Sequence, residues 1–154
     1  MHASRAVDGW TGEDRETACY AHGVKDHTKL RVYDQSVDVA KRVYVATRGF
    51  PESERFGLQS QLRRAAVSVV ANIVEGCARS PFFNPEKDAP PKICVQFMSI
   101  AYGSASELHC LLDLAASDEL ALLTRGDPYV AALIEQCTAL VRSLSRLLKN
   151  TEDR

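Results

Sequence analysis

The sequence predicts an all-α protein, an antiparallel up-down-up-down four-helix bundle. Three observations carry that reading. Apolar residues recur at helical spacing in four separate stretches, and none alternates as a strand does. Proline and glycine fall between the stretches rather than inside most of them. Aromatic residues make up only 7% of the chain, which suits helices with aliphatic cores.

The first helix spans about 32–48. Tyr33, Val37, Ala40, Tyr44 and Thr47 follow a four-three spacing, beside a second stripe of Val32, Val39, Val43 and Ala46. Asp34, Asp38, Lys41 and Arg42 occupy the other side, and Gly49 and Pro51 end the element. The second helix is expected over 52–75. Proline suits a first turn and acids complement the helix dipole, so Pro51-Glu-Ser-Glu54 reads as its start. Leu58, Leu62, Ala65, Ala66, Val69, Val70 and Ile73 form its apolar face, and Gly76 reads as its stop.

Four prolines between Arg79 and Pro91 forbid a regular helix there. Phe82 and Phe83 in that loop either pin it to the bundle or contact a partner. The third helix is expected over 92–117, with Phe97, Ile100, Ala101, Ser104, Leu108, Leu111 and Ala115 on one face. Asp127 is a good N-cap with Pro128 in the first position, so the fourth helix runs over 128–149. Its apolar residues come three to a heptad, and the first helix carries two stripes. Such wide arcs suggest that part of the surface faces another copy of the chain.

Residues 30–150 thus form one bundle domain. Residues 1–29 show no sustained period and are expected to be a loose extension. His2, His22 and His27 fit no metal spacing and read as solvated side chains. The formal charge is -1, which gives no global bias toward nucleic acid. Five cysteines without a CxxC pair read as small buried thiols in a reducing cytoplasm, with Cys110 and Cys137 on apolar stripes. No apolar run approaches the ~20 residues needed to span a bilayer, so a membrane role is not expected. No cofactor or small-molecule substrate is evident.

Several polar residues sit where helical faces should be apolar. Ser68, Asn72 and Glu75 share one side of the second helix, and Gly103, Ser104 and Glu107 lie together on the third. One reading is a network that fixes the register of the two helices, with Gly103 allowing close approach. On that reading Glu107→Ala costs roughly 3–5 kcal/mol if the carboxylate is buried with a charged partner. The other reading is a catalytic carboxylate with Asn and Ser as helpers. No histidine base stands at a partner spacing and no glycine-rich phosphate loop exists, so no catalytic residue is assigned. A di-metal carboxylate site needs Glu-x-x-His pairs. Glu107 and His109 are one residue too close for that, and no metal ligand is assigned.

The basic residues that could contact nucleic acid are Arg55, Arg63, Arg64, Arg79 and Lys92. Arg63-Arg64 is expected on the outer side of the second helix, where replacement by Glu should abolish RNA binding without unfolding. Repetition of a modest patch around an oligomer strengthens phosphate binding.

Five strings occur in order: Leu30-Arg-Val-Tyr33, Phe50-Pro-Glu-Ser-Glu54, Gln61-Leu-Arg-Arg-Ala-Ala-Val-Ser68, Asn72-Ile-Val-Glu-Gly76 and Ser99-Ile-Ala-Tyr-Gly-Ser-Ala-Ser-Glu107. Together they resemble the four-helix-bundle family named after proteins encoded in intervening sequences of bacterial 23S rRNA genes. The accessory variability proteins of diversity-generating retroelements look like the same family. The resemblance covers about Leu30 to Lys149. It implies a homopentamer, no known catalytic activity and, in the retroelement branch, a basic surface for nucleic acid and a reverse transcriptase. Here the Pro-rich loop looks longer than the family's usual link. From Leu30 onward, 15 basic residues face 15 acidic ones. The expectation is an oligomeric cytoplasmic binding or scaffold protein tied to RNA. Its rival is a structural or protein-interaction module without nucleic acid.

Overall fold

Four amphipathic rods pack side by side and antiparallel in a computed structural model that describes residues 27–79 and 92–152. They are α1 (Arg31–Ala46), α2 (Leu58–Ala78), α3 (Lys92–Ala115) and α4 (Pro128–Glu152), with no strand among the described residues. Each rod packs on the next in chain order, and α4 closes the ring against α1. The expectations for residues 1–26 and for the Pro-rich loop, including His2, His22, Phe82 and Phe83, lie outside the described residues.

The core is aliphatic, as the sequence predicts. Val39 and Val43 of α1 meet Leu62, Val69 and Ile73 of α2. Met98, Leu108 and Leu112 come from α3, and Leu133, Leu140 and Leu144 from α4. Fully burying one such side chain is worth about 1.5–3 kcal/mol, and that gain fixes which face of each rod turns inward.

Helix ends follow local chemistry. Asp127 caps α4, its Oδ1 accepting from the N–H groups of Tyr129 at 2.7 Å and Val130 at 3.3 Å. The α1 end tightens into a short 3-10 turn at Thr47–Gly49 before the buried Phe50. The start of α2 differs from expectation. Glu52–Glu54 forms a 3-10 turn, and Gly57, with φ -92° and ψ -127°, leaves helical geometry before Leu58. Glu54 instead caps α2 from outside, its Oε2 accepting from the Leu58 N–H at 2.9 Å. The connection after α3 includes one strained residue, Ala121, at φ 47°.

Two glycines depart from the roles read from sequence. Gly76 does not stop α2, which runs on to Ala78. It is buried, and a Cβ there would come within 3.1 Å of Phe97 Cβ and 3.5 Å of the Cys94 carbonyl oxygen. Gly76 is therefore where α2 and α3 approach closely. Gly103 is exposed, with nothing within 4 Å of an added Cβ. It plays no part in the approach.

The fourth helix also uses its apolar arc differently. Val130, Leu133, Cys137, Leu140, Leu144 and Leu147 are buried, and Ile134, Val141 and Leu148 pack partly buried against the same core. One chain thus covers the wide arc of α4 by itself, because α1 and α3 flank it on both sides. Exposed apolar side chains lie elsewhere: Tyr44, Val45 and Val67 on α1 and α2, and Ile100 and Leu114 on α3.

Candidate nucleic-acid interface

Arg63 and Arg64 are adjacent in sequence, and the helix turns them about 100° apart. Arg63 is half-buried and points to the end of α1. Its Nε donates to Thr47 Oγ1 at 2.9 Å, and a second guanidinium nitrogen lies 3.5 Å from the Thr47 carbonyl oxygen. Gln59 Nε2 donates to that same carbonyl at 2.6 Å. The Arg63 guanidinium also stacks over Tyr44, 5.0 Å from the ring centroid. A cation at the carbonyl end of a helix meets the negative end of its dipole, so this contact joins α1 to α2. Arg64 is exposed and has no ion-pair partner among the described residues.

Arg55 lies on the turn before α2. Its guanidinium pairs with Glu52 at 2.9 Å and lies over the Phe56 ring, 5.4 Å from the centroid. Phe56 itself is 86% exposed. Arg55, Phe56, Arg63 and Arg64 line an open cleft of about 670 Å³, with Glu107 reaching in from α3 and Ser60 and Ser68 along α2. The fold therefore brings together three of the five basic residues singled out from sequence.

The other two stand apart. Arg79 follows the end of α2, paired with Glu75 and lying 5.3 Å over Phe97. Lys92 is the exposed first residue of α3. From Arg63 to Arg79 the chain advances roughly 24 Å along the α2 axis. Arg79 and Lys92 therefore belong to the opposite end of the bundle.

The polar set between α2 and α3 shrinks to three residues. Ser68 Oγ and Ser104 Oγ share a hydrogen bond of 2.8 Å across the helices. Asn72 Nδ2 donates to the Ser68 carbonyl at 2.8 Å and to Ser68 Oγ at 3.2 Å. Glu75 turns away to Arg79, Gly103 is exposed and so is Glu107. Glu107 is not the buried carboxylate expected: three helical steps carry it about 60° from Ser104, out to the rim of the cleft.

Cys77, Cys94 and Cys137 are buried, whereas Cys110 is exposed, against expectation. Burial, and secondarily the charge of Asp113, pushes the Cys137 thiol up from 9.0 to about 12. Its Sγ donates to the Ala105 carbonyl oxygen at 3.7 Å. No group of three or more His, Cys, Asp or Glu side chains could hold a metal among the described residues. None of the described helices is long and apolar enough to cross a membrane.

The paired strings Gln61–Ser68 and Ser99–Glu107 thus lie face to face, joined by Ser68 and Ser104. The sequence model of the 23S rRNA-intervening sequence protein family matches residues 28–146, nearly the whole bundle. The chain belongs to that family. No curated protein matches it. Three parts of the interface are not legible in the sequence. Thr47 looked like a stripe residue, Tyr44 like core, and Phe56 belonged to no stripe. Its position between Arg55 and Gly57, off the apolar register of α2, was the available signal.

Proposed function

We propose that the chain is a non-catalytic scaffold that assembles with copies of itself and carries RNA on the arginine-lined cleft. The observation that supports assembly is an apolar strip continuous across α1 and α2. Tyr44, Val45 and Val67 are 43%, 45% and 47% exposed. They surround a groove of about 560 Å³ that Val37, Ala40, Val70 and Ala71 also line. A contiguous apolar patch of this kind marks an interaction surface more often than scattered single residues do. The family resemblance supports five copies in a closed ring. Cytoplasmic location and a ribonucleoprotein partner, such as a reverse transcriptase, belong to the same reading.

RNA enters through Arg55 and Arg64, which a ring would repeat in every subunit. Each added phosphate contact then raises affinity and its salt dependence. The test is binding of a short labelled RNA at low and at high salt. The proposal expects affinity that falls steeply with salt and is lost in Arg64→Glu. Absent affinity at low salt, or affinity indifferent to salt, sinks the RNA reading. Two observations favour a module that binds only protein: Arg63 is spent on α1, and Glu107 places negative charge at the cleft. That module would leave RNA unbound in every condition while still assembling.

A further inference from the structure

We propose that Phe56 is a stacking platform for an unpaired nucleotide, so the cleft takes single-stranded rather than duplex RNA or DNA. This inference rests on the nucleic-acid reading above and makes it more specific. An isolated exposed aromatic residue is ordinary. Phe56 is not isolated: it lines the cleft together with Arg55, Arg63 and Arg64, and the Arg55 guanidinium lies over its ring.

The turn that carries the ring is well defined. The N–H groups of Arg55 and Gly57 donate to the Glu52 and Glu54 carbonyls at 3.1 and 3.0 Å, and the Glu54 side chain holds the first turn of α2. The ring is thereby presented at 86% exposure by a hydrogen-bonded turn. Arg55 lies over the ring, 5.4 Å from its centroid, which leaves the remaining exposed face for a base. Arg64, exposed on the same cleft, has its charge available for the phosphate backbone. Glu107 repels phosphate, so the backbone must run on the Arg55–Arg64 side. The carboxylate is then free to accept a hydrogen bond from an exocyclic amine of the base. The cleft volume of about 670 Å³ lies in the range that accommodates small ligands.

A duplex cannot use such a site. Its bases are stacked on one another, and its backbone offers only phosphate and sugar. An unpaired strand offers a free π-face that any base can supply, which gives affinity without strong sequence preference.

Fluorescence anisotropy on the full chain decides the matter, with a labelled 20-nucleotide single-stranded RNA, the same DNA sequence and a blunt RNA duplex as probes. The proposal expects both single strands to bind at least roughly tenfold more tightly than the duplex. Phe56→Ala should weaken single-strand binding by about fivefold to a hundredfold, the loss of one stacked base, while Phe56→Trp retains it. Circular dichroism on each variant checks folding, which a substitution at so exposed a position leaves intact. Equal binding of duplex and single strand with no effect of Phe56→Ala, but loss in Arg64→Glu, overturns the stacking site and leaves the RNA reading standing. Absence of binding to all three probes overturns both. A Phe56→Ala variant that sediments as a smaller species without losing single-strand affinity assigns the ring to self-association and overturns the proposal.

Discussion

Arg63 of α2 donates to Thr47 at the end of α1, with Nε 2.9 Å from Oγ1, while the neighbouring Arg64 touches no acid among the described residues. Two adjacent arginines therefore do different work. Thr47 is buried, and its hydroxyl also donates to the Val43 carbonyl at 2.9 Å. Removing the guanidinium takes the charged donor from the buried Thr47 hydroxyl, while Gln59 still donates to the Thr47 carbonyl. Arg63→Ala should cost about 1–3 kcal/mol, and Arg64→Ala less than about 0.5 kcal/mol. Urea denaturation of the two variants checks this. Equal midpoints would show that the Arg63 contact contributes nothing. It follows that Arg64, and not the pair, is the residue to reverse when RNA binding is tested.

The glycines give a prediction of opposite signs. Gly76→Ala pushes a Cβ to 3.1 Å from Phe97 Cβ on a neighbouring helix, so it should destabilise by about 1–3 kcal/mol. Gly103→Ala meets nothing within 4 Å and gains helix propensity, so it should stabilise by about 1 kcal/mol. Thermal melts of the two variants should move in opposite directions. A stabilised Gly76→Ala would mean that α2 and α3 are farther apart than described.

Glu107 is exposed at the cleft rim. Glu107→Ala should therefore change stability by less than about 0.5 kcal/mol, not the 3–5 kcal/mol of a buried paired carboxylate. The same variant should raise RNA affinity modestly, because it removes a repulsive charge. A large fall in melting temperature would restore the buried network read from sequence.

The Cys137 thiol links stability to alkaline pH. Its folded pKa of about 12 lies above its ordinary value of 9.0. The unfolded chain therefore loses this proton first as pH rises. The stabilisation is complete below pH 9 and declines up to pH 12, by about 1.4 kcal/mol per pH unit from this group. Cys137→Ala should flatten that part of the curve while lowering stability at neutral pH through the cavity it leaves. Denaturation midpoints between pH 8 and 11 for the two proteins check it. Parallel curves would show that the thiol is not desolvated.

Much of this fold is legible in the sequence, because hydrophobic period and caps are local signals. Asp127 and Pro128 mark the start of α4 directly. What a one-dimensional pattern lacks is azimuth and neighbour. Gly76 and Gly103 both sit in helical stretches, and only packing decides which of them faces a helix. A 60° step takes Glu107 from the Ser104 stripe to solvent. Gly57 was the overlooked breaker that delays α2 to Leu58, because the acids before it fit a first turn equally well. The candidate site was half legible. The arginines are visible as charges, but their division into one that ties helices and one that faces solvent depends on Thr47, sixteen residues earlier. The wide arc of α4 suggested a partner surface, whereas its flanking helices cover it and the exposed apolar strip lies on α1 and α2.

Sedimentation equilibrium at micromolar concentration, on the unaltered chain and on a Val45→Glu, Val67→Glu variant, bears most directly on the assembly proposal. Both valines are nearly half exposed, so the two charges should leave the subunit folded. The account predicts a species several times the 17.0 kDa chain mass for the unaltered protein and a folded monomer for the variant. An unaltered chain that sediments as a monomer, or a variant that assembles as the parent does, would contradict it.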